Sequence, residues 1–140
     1  MAGKIYFGHP INTYDTDLEK KLLLQIHIAF PGLVLENPNQ DHHQKGYRLW
    51  KELYGHGMSY YYQEVLPKCV AGIFLPFRDG KWGAGVLGEA EILASLGRPI
   101  FEITNDGVIR EINNLQDIPS LTIDETRQRI RTKEGEIIPY

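Results

Sequence analysis

CVAGIFLPFRDGKWGAGVLGEAEILASLG, residues 69–97, passes from an unbroken apolar run through a glycine-rich loop into a helical pattern. The run Val70–Phe77 has no polar alternation, which suits a parallel strand buried on both faces. The loop Arg78–Gly88 then falls beyond that strand's carboxyl end, where open α/β sheets bind ligands. Glu89 follows, a carboxylate expected in the first turn of the next helix. That helix is expected to run over 89–96 and to close at Gly97.

On the amino-terminal side, KIYFG (Lys4–Gly8) reads as the first strand, stopped by His9 and Pro10. Thr16 and Glu19 have the spacing of a capping box, and Leu18, Leu22, Ile26 and Ala29 then share a helical face. Leu33–Glu36 reads as a second strand turned by Asn37-Pro38-Asn39. The polar segment Gln40–Gly46 is expected to be an exposed loop, with a helix over Tyr47–Tyr54. Met58, Tyr61, Tyr62, Val65 and Leu66 form an amphipathic stripe ended by Pro67. On the carboxyl-terminal side, Ile100–Ile103 is a fourth strand and Val108–Ile112 a further one. Thr122 and Glu125 open a last helix to about Arg131.

Strands alternating with helices predict an α/β three-layer sandwich, flavodoxin-like or Rossmann-like. Four to five mainly parallel strands are expected in the order 2-1-3-4-5, as a single domain over residues 1–140. The switch point then lies between strands one and three. Gly8, His9, Asn37, Asn39 and the loop before Glu89 converge there.

The 140 residues carry a formal net charge of −3, with 42% hydrophobic and 24% charged residues. No basic cluster is present to neutralise a phosphate backbone, so a nucleic-acid polymer is not the expected partner. One cysteine, Cys69, excludes an internal disulfide. No signal peptide and no membrane-spanning stretch are read, so a cytoplasmic protein is expected.

GAGVLG (Gly83, Gly85, Gly88) matches a dinucleotide-type glycine pattern, but it follows the third strand at a distance rather than the first directly. The glycines still allow a backbone to approach a ligand. Glu89 reads either as a helix-dipole partner or as a carboxylate above a sugar-sized pocket, able to attack an anomeric carbon. Asp79 before Gly80 is either turn chemistry or a proton donor to a leaving base. Asn37 and Asn39 cap a turn or bind sugar or base, and His9 lies at the floor. Tyr60–Tyr62 read chiefly as core and interface, with Tyr60 kept as a substrate-binding candidate. His42 and His43 lie in a polar stretch, and the five histidines show no metal-ligand spacing.

Three places resemble the nucleoside 2-deoxyribosyltransferases and the related deoxynucleoside monophosphate N-glycosidases. These are KIYFG, LEN (Leu35–Asn37) and GAGVLGEAEILASLGRPI, in which Glu89 stands eight residues before Gly97. The resemblance implies that Glu89 is the nucleophile and that Tyr6 orients it. It implies cleavage of a base–sugar bond through a glycosyl-glutamate ester, without metal or organic cofactor. It also implies a homo-oligomer in which a neighbouring subunit completes the pocket, and a carboxy-terminal tyrosine, here Tyr140, reaching a site. Two family acids are missing: Tyr62 stands at one position, with Glu64 nearest, and Gly83 at the other, with Asp79 nearest. The alternative is a nucleotide-binding sensor of the same fold that does not cleave its ligand. A lysine-decarboxylase-like phosphoribohydrolase shares the chemistry, but its glycine signature is absent.

Overall fold

The computed structural model describes residues 3–140, and the apolar run forms a shorter strand than its length predicts. Only Ala71–Phe74 (β3) is extended in the sheet, while Leu75 and Phe77 are buried in the loop that follows. β3 pairs in parallel with β1 (Lys4–Gly8) on one side and β4 (Ile100–Ile103) on the other. β2 (Val34–Glu36) pairs in parallel outside β1, and β5 (Ile109–Ile112) pairs antiparallel outside β4. The strand order is thus 2-1-3-4-5, mostly parallel, as the sequence predicts. The turn Asn105-Asp106-Gly107 returns the chain directly, which allows the antiparallel last pair without a crossover helix.

The alternation of side chains across the pleat divides the core between the two faces. Ile5, Phe7, Ala71 and Ile73 meet Leu22 and Ile26 of α1 (Asp17–Ala29). Tyr6 and Phe74 meet Val86, Ala90 and Leu93 of α4 (Ala84–Ser95) on the opposite face. Thr16 caps α1 by accepting the Glu19 N–H, but the Glu19 carboxylate turns away to His9, so the box is only half formed. α5 (Ile123–Ile130) has the full reciprocal box of Thr122 and Glu125.

Three expected boundaries move. Asp41 starts α2 (Asp41–Tyr54), so the polar segment before Tyr47 is helix and not exposed loop. The stripe after Gly57 is not one regular helix: α3 (Met58–Tyr60) widens into a π-turn (Tyr61–Val65) and tightens into a 3₁₀ turn (Leu66–Lys68) before Cys69. α4 starts at Ala84 because Gly83, extended at φ −63 and ψ 154, ends the loop earlier than expected. Glu89 therefore lies in the second turn, beyond the reach of a first-turn dipole effect. Trp82, fully buried, anchors that loop by donating its indole N–H to Glu102 Oε2 at 2.8 Å. Among the described residues, no helix is long and apolar enough to cross a membrane.

Candidate active site

In α4 the positions 86, 89, 90 and 93 face inward at i, i+3, i+4 and i+7, and one of them is a glutamate. The fold thus pushes a carboxyl group into a place whose spacing calls for an apolar residue. Glu89 is buried, and the Tyr6 hydroxyl donates a hydrogen bond to its Oε2. Burial pushes the Glu89 carboxyl up to about 8, and the Tyr6 hydrogen bond offsets only part of this. Tyr6 is itself held well above the ordinary phenol range, by burial first and by Glu89 second, so it keeps its proton. Its ring is fixed edge-on to Tyr61, with centroids 6.4 Å apart.

Gly8 makes the carboxylate's position possible. A Cβ there would lie 2.5 Å from the Phe74 ring and 3.2 Å from Glu89 Oε1. Gly8 therefore leaves room for the Phe74 ring and for the Glu89 carboxyl.

Glu89 and Tyr6 lie against a cavity of about 490 Å³ beyond the carboxyl ends of the strands. Tyr14, Tyr47 and Tyr61 supply much of its wall, and Gln44, Lys51, Thr126 and Arg131 supply polar groups. Gly83 and Gly85 border it at the start of α4. No carboxylate other than Glu89 lines it among the described residues.

The remaining candidates are placed differently. His9 borders the cavity, but its side chain is fully enclosed. Its Nδ1 faces the Phe7 carbonyl at 3.0 Å and its Nε2 faces Glu19 Oε2 at 2.7 Å. Both ring nitrogens are thus taken up by protein partners. Burial raises the Glu19 carboxyl, but His9, Asn39 and the Asp15 N–H outweigh it and hold the group below its usual range. Asn39 spends its amide on Glu19 and Asp15, and Asn37 Oδ1 accepts the Asn39 N–H within the turn. Of that turn, Pro38 alone is among the cavity-lining residues. His9, Asn37 and Asn39 thus hold the loop ends in place, and Asn37 and Asn39 do not line the cavity.

Asp79 is the clearest correction. It is exposed and paired through both oxygens with Arg129, at 2.8 and 2.7 Å, away from the cavity. The Arg129 guanidinium holds its carboxyl down near about 2, so it has no proton to give. Gly88 faces the Tyr62 hydroxyl, and Tyr60 borders a second recess. Tyr140 packs on Phe77 under the Arg78 guanidinium and donates to the Pro76 carbonyl at 2.5 Å, bracing the loop from outside.

Sequence reasoning missed Gln44, Tyr47 and Lys51. Their i, i+3, i+7 spacing is a helical face, hidden once the segment before Tyr47 is read as loop. Tyr14, Thr126 and Arg131 carry no local signal and are recruited only by tertiary packing. No family model matches the chain, and searches of curated proteins and of solved structures return no significant match.

Proposed function

We propose that the protein is an N-glycosidase or glycosyltransferase that cleaves the base–sugar bond of a (deoxy)nucleoside or nucleotide. The observation that carries this reading is the buried Glu89 carboxyl, oriented by the Tyr6 hydroxyl at the floor of a tyrosine-lined cavity of about 490 Å³. A space of this size suits a nucleoside, and aromatic walls suit a planar base. In the reaction, Glu89 as carboxylate forms a bond to the anomeric carbon. The carbon–nitrogen bond breaks, its electron pair leaves with the base, and water protonates the base. A second base or water then attacks the anomeric carbon and releases Glu89. Lys51 and Arg131 at the wall are suited to a 5′-phosphate. The same reading expects a homo-oligomer in the cytoplasm, with no cofactor in the reaction. Exposed Leu49, Leu53 and Tyr54 on α2 support an association face.

The experiment is incubation with a mixed nucleoside and nucleotide pool, with and without an acceptor base, followed by mass analysis of products and of a sugar adduct on Glu89. Glu89→Ala is expected to abolish base release in a folded protein; unchanged turnover rejects the role. Since burial holds the carboxyl up near about 8, only about a tenth is ionised at neutral pH. The rate of a nucleophile in that position rises with pH and levels off above 8. A rate that falls over this range instead assigns Glu89 the part of an acid.

The same protonation favours a second reading, a nucleotide sensor that binds without cleaving. A mostly neutral carboxyl is a weak nucleophile but a good hydrogen-bond partner. Strong thermal stabilisation by one nucleotide, with no free base by chromatography, selects the sensor.

A further inference from the structure

A second recess, of about 340 Å³, opens where β2 ends beside the first turn of α2. Glu36, His42 and His43 meet there, with one potential ligand atom from each lying within 4.8 Å of the others. Glu36 and His43 are buried and His42 is exposed, so the cluster faces water on one side. We propose that this cluster is a binding site for a divalent transition-metal ion of the zinc type, held by Glu36, His42 and His43. It is independent of the Glu89 cavity and of the reaction proposed there. Two imidazoles and one carboxylate match the donors zinc takes, and the recess has space for water to complete the shell.

The hydrogen bonds around His43 suit a change of tautomer that frees one ring nitrogen for an ion. Nε2 lies 2.6 Å from Glu36 Oε2, and Nδ1 lies 2.8 Å from the Tyr60 hydroxyl. Without metal, Nε2–H donates to Glu36 and the Tyr60 O–H donates to Nδ1. A hydroxyl also accepts, so the ring can exchange tautomers. Its proton then sits on Nδ1 and is donated to the Tyr60 oxygen, while Nε2 turns a lone pair to the ion. The charge of His43 is unchanged, and Tyr60 becomes the outer partner that orients the ligand ring. Gly46 keeps Tyr60 in reach: a Cβ at that position would lie 2.3 Å from the Tyr60 ring.

The charged groups around the cluster make the proposal sharper. Lys68 and Glu64 border the recess, and Lys4 Nζ lies 3.2 Å from Glu36 Oε1. Lys4 is half-exposed and repels an incoming cation. Removing it is therefore expected to tighten metal binding.

The test is calorimetric titration of the tag-free protein with zinc chloride, and visible spectroscopy with cobalt chloride. One ion per chain is expected, with cobalt d–d bands of a low-coordinate site. His42→Ala removes an exposed side chain, so it leaves the fold intact; it and Glu36→Gln are each expected to weaken binding by at least about tenfold. Lys4→Met is expected to tighten it several-fold, and Glu89→Ala to leave it unchanged. Absence of saturable binding up to millimolar zinc overturns the proposal. So does binding that neither His42→Ala nor Glu36→Gln reduces.

Discussion

Glu89 costs the fold free energy, and the sign of that cost is testable. Its carboxyl is raised from 4.5 to about 8 in the folded protein. Between these values the folded state holds a proton that the unfolded state has lost, so stability falls as pH rises through the window. Above it the penalty is complete, on the order of a few kcal/mol. Glu89→Gln keeps the shape and removes the charge. It is therefore expected to raise the melting temperature by several degrees at pH 9 and to change it little at pH 5, while turnover is lost. Equal melting curves at pH 9 for the two proteins would show the carboxyl to be better solvated than its burial indicates. The stripe 86-89-90-93 carried this information in the sequence, because an acid at an inward helical position needs a reason. Reading the helix start five residues late hid it.

At the scale of elements, the end of β1 leaves room at Gly8 for Phe74 of β3 and for Glu89 of α4. Gly8→Ala places a methyl group against Phe74 and the Glu89 carboxylate. Phe74 is fully buried and packed, so it can give way only by disturbing its neighbours. A loss of about 1–3 kcal/mol by denaturant titration is expected, with loss of any Glu89-dependent turnover. A variant as stable as the parent would mean that the helix is free to shift. The strands were legible because β-rich apolar runs such as KIYFG and IFEI are bounded by turn residues. The helical segment after Gly57 was not, since a π-turn keeps the apolar spacing of a helix over short distances while changing its hydrogen bonds. Asp79, open in the sequence between turn chemistry and a proton donor, accepts the Lys81 N–H within its turn and pairs with Arg129. Its partner, Arg129, is fifty residues away, and sequence cannot weigh a distant guanidinium against a nearby cavity.

On the scale of the whole molecule, chain segments far apart in sequence are tied together around the cavity. Asn12, between the first strand and first helix, donates its amide to the carbonyls of Arg129 (3.2 Å) and Ile138 (2.9 Å). It thereby holds α5 and the chain beyond it, so that Thr126, Ile130 and Arg131 form a wall. Asn12→Ala leaves two part-buried carbonyls without this donor. A loss of about 1–3 kcal/mol is expected, with earlier hydrogen exchange in residues 123–140 than in the sheet. Uniform exchange across the chain would count against the clamp. The topology of the sheet was readable from the order of strands and helices. This clamp was not, because an asparagine in a loop looks the same whether it faces solvent or closes a ring of more than a hundred residues.

The two tryptophans give the protein a pair of built-in optical probes. Trp82 is sealed under the loop that leads to Glu89, with its indole N–H held by Glu102, whereas Trp50 borders the recess of Glu36 and His43. In a Trp50→Phe background, emission comes from Trp82 alone and is expected at short wavelength, shifting red only when the loop itself opens. The reciprocal Trp82→Phe protein leaves one fluorophore beside the histidines, where a paramagnetic ion quenches its light.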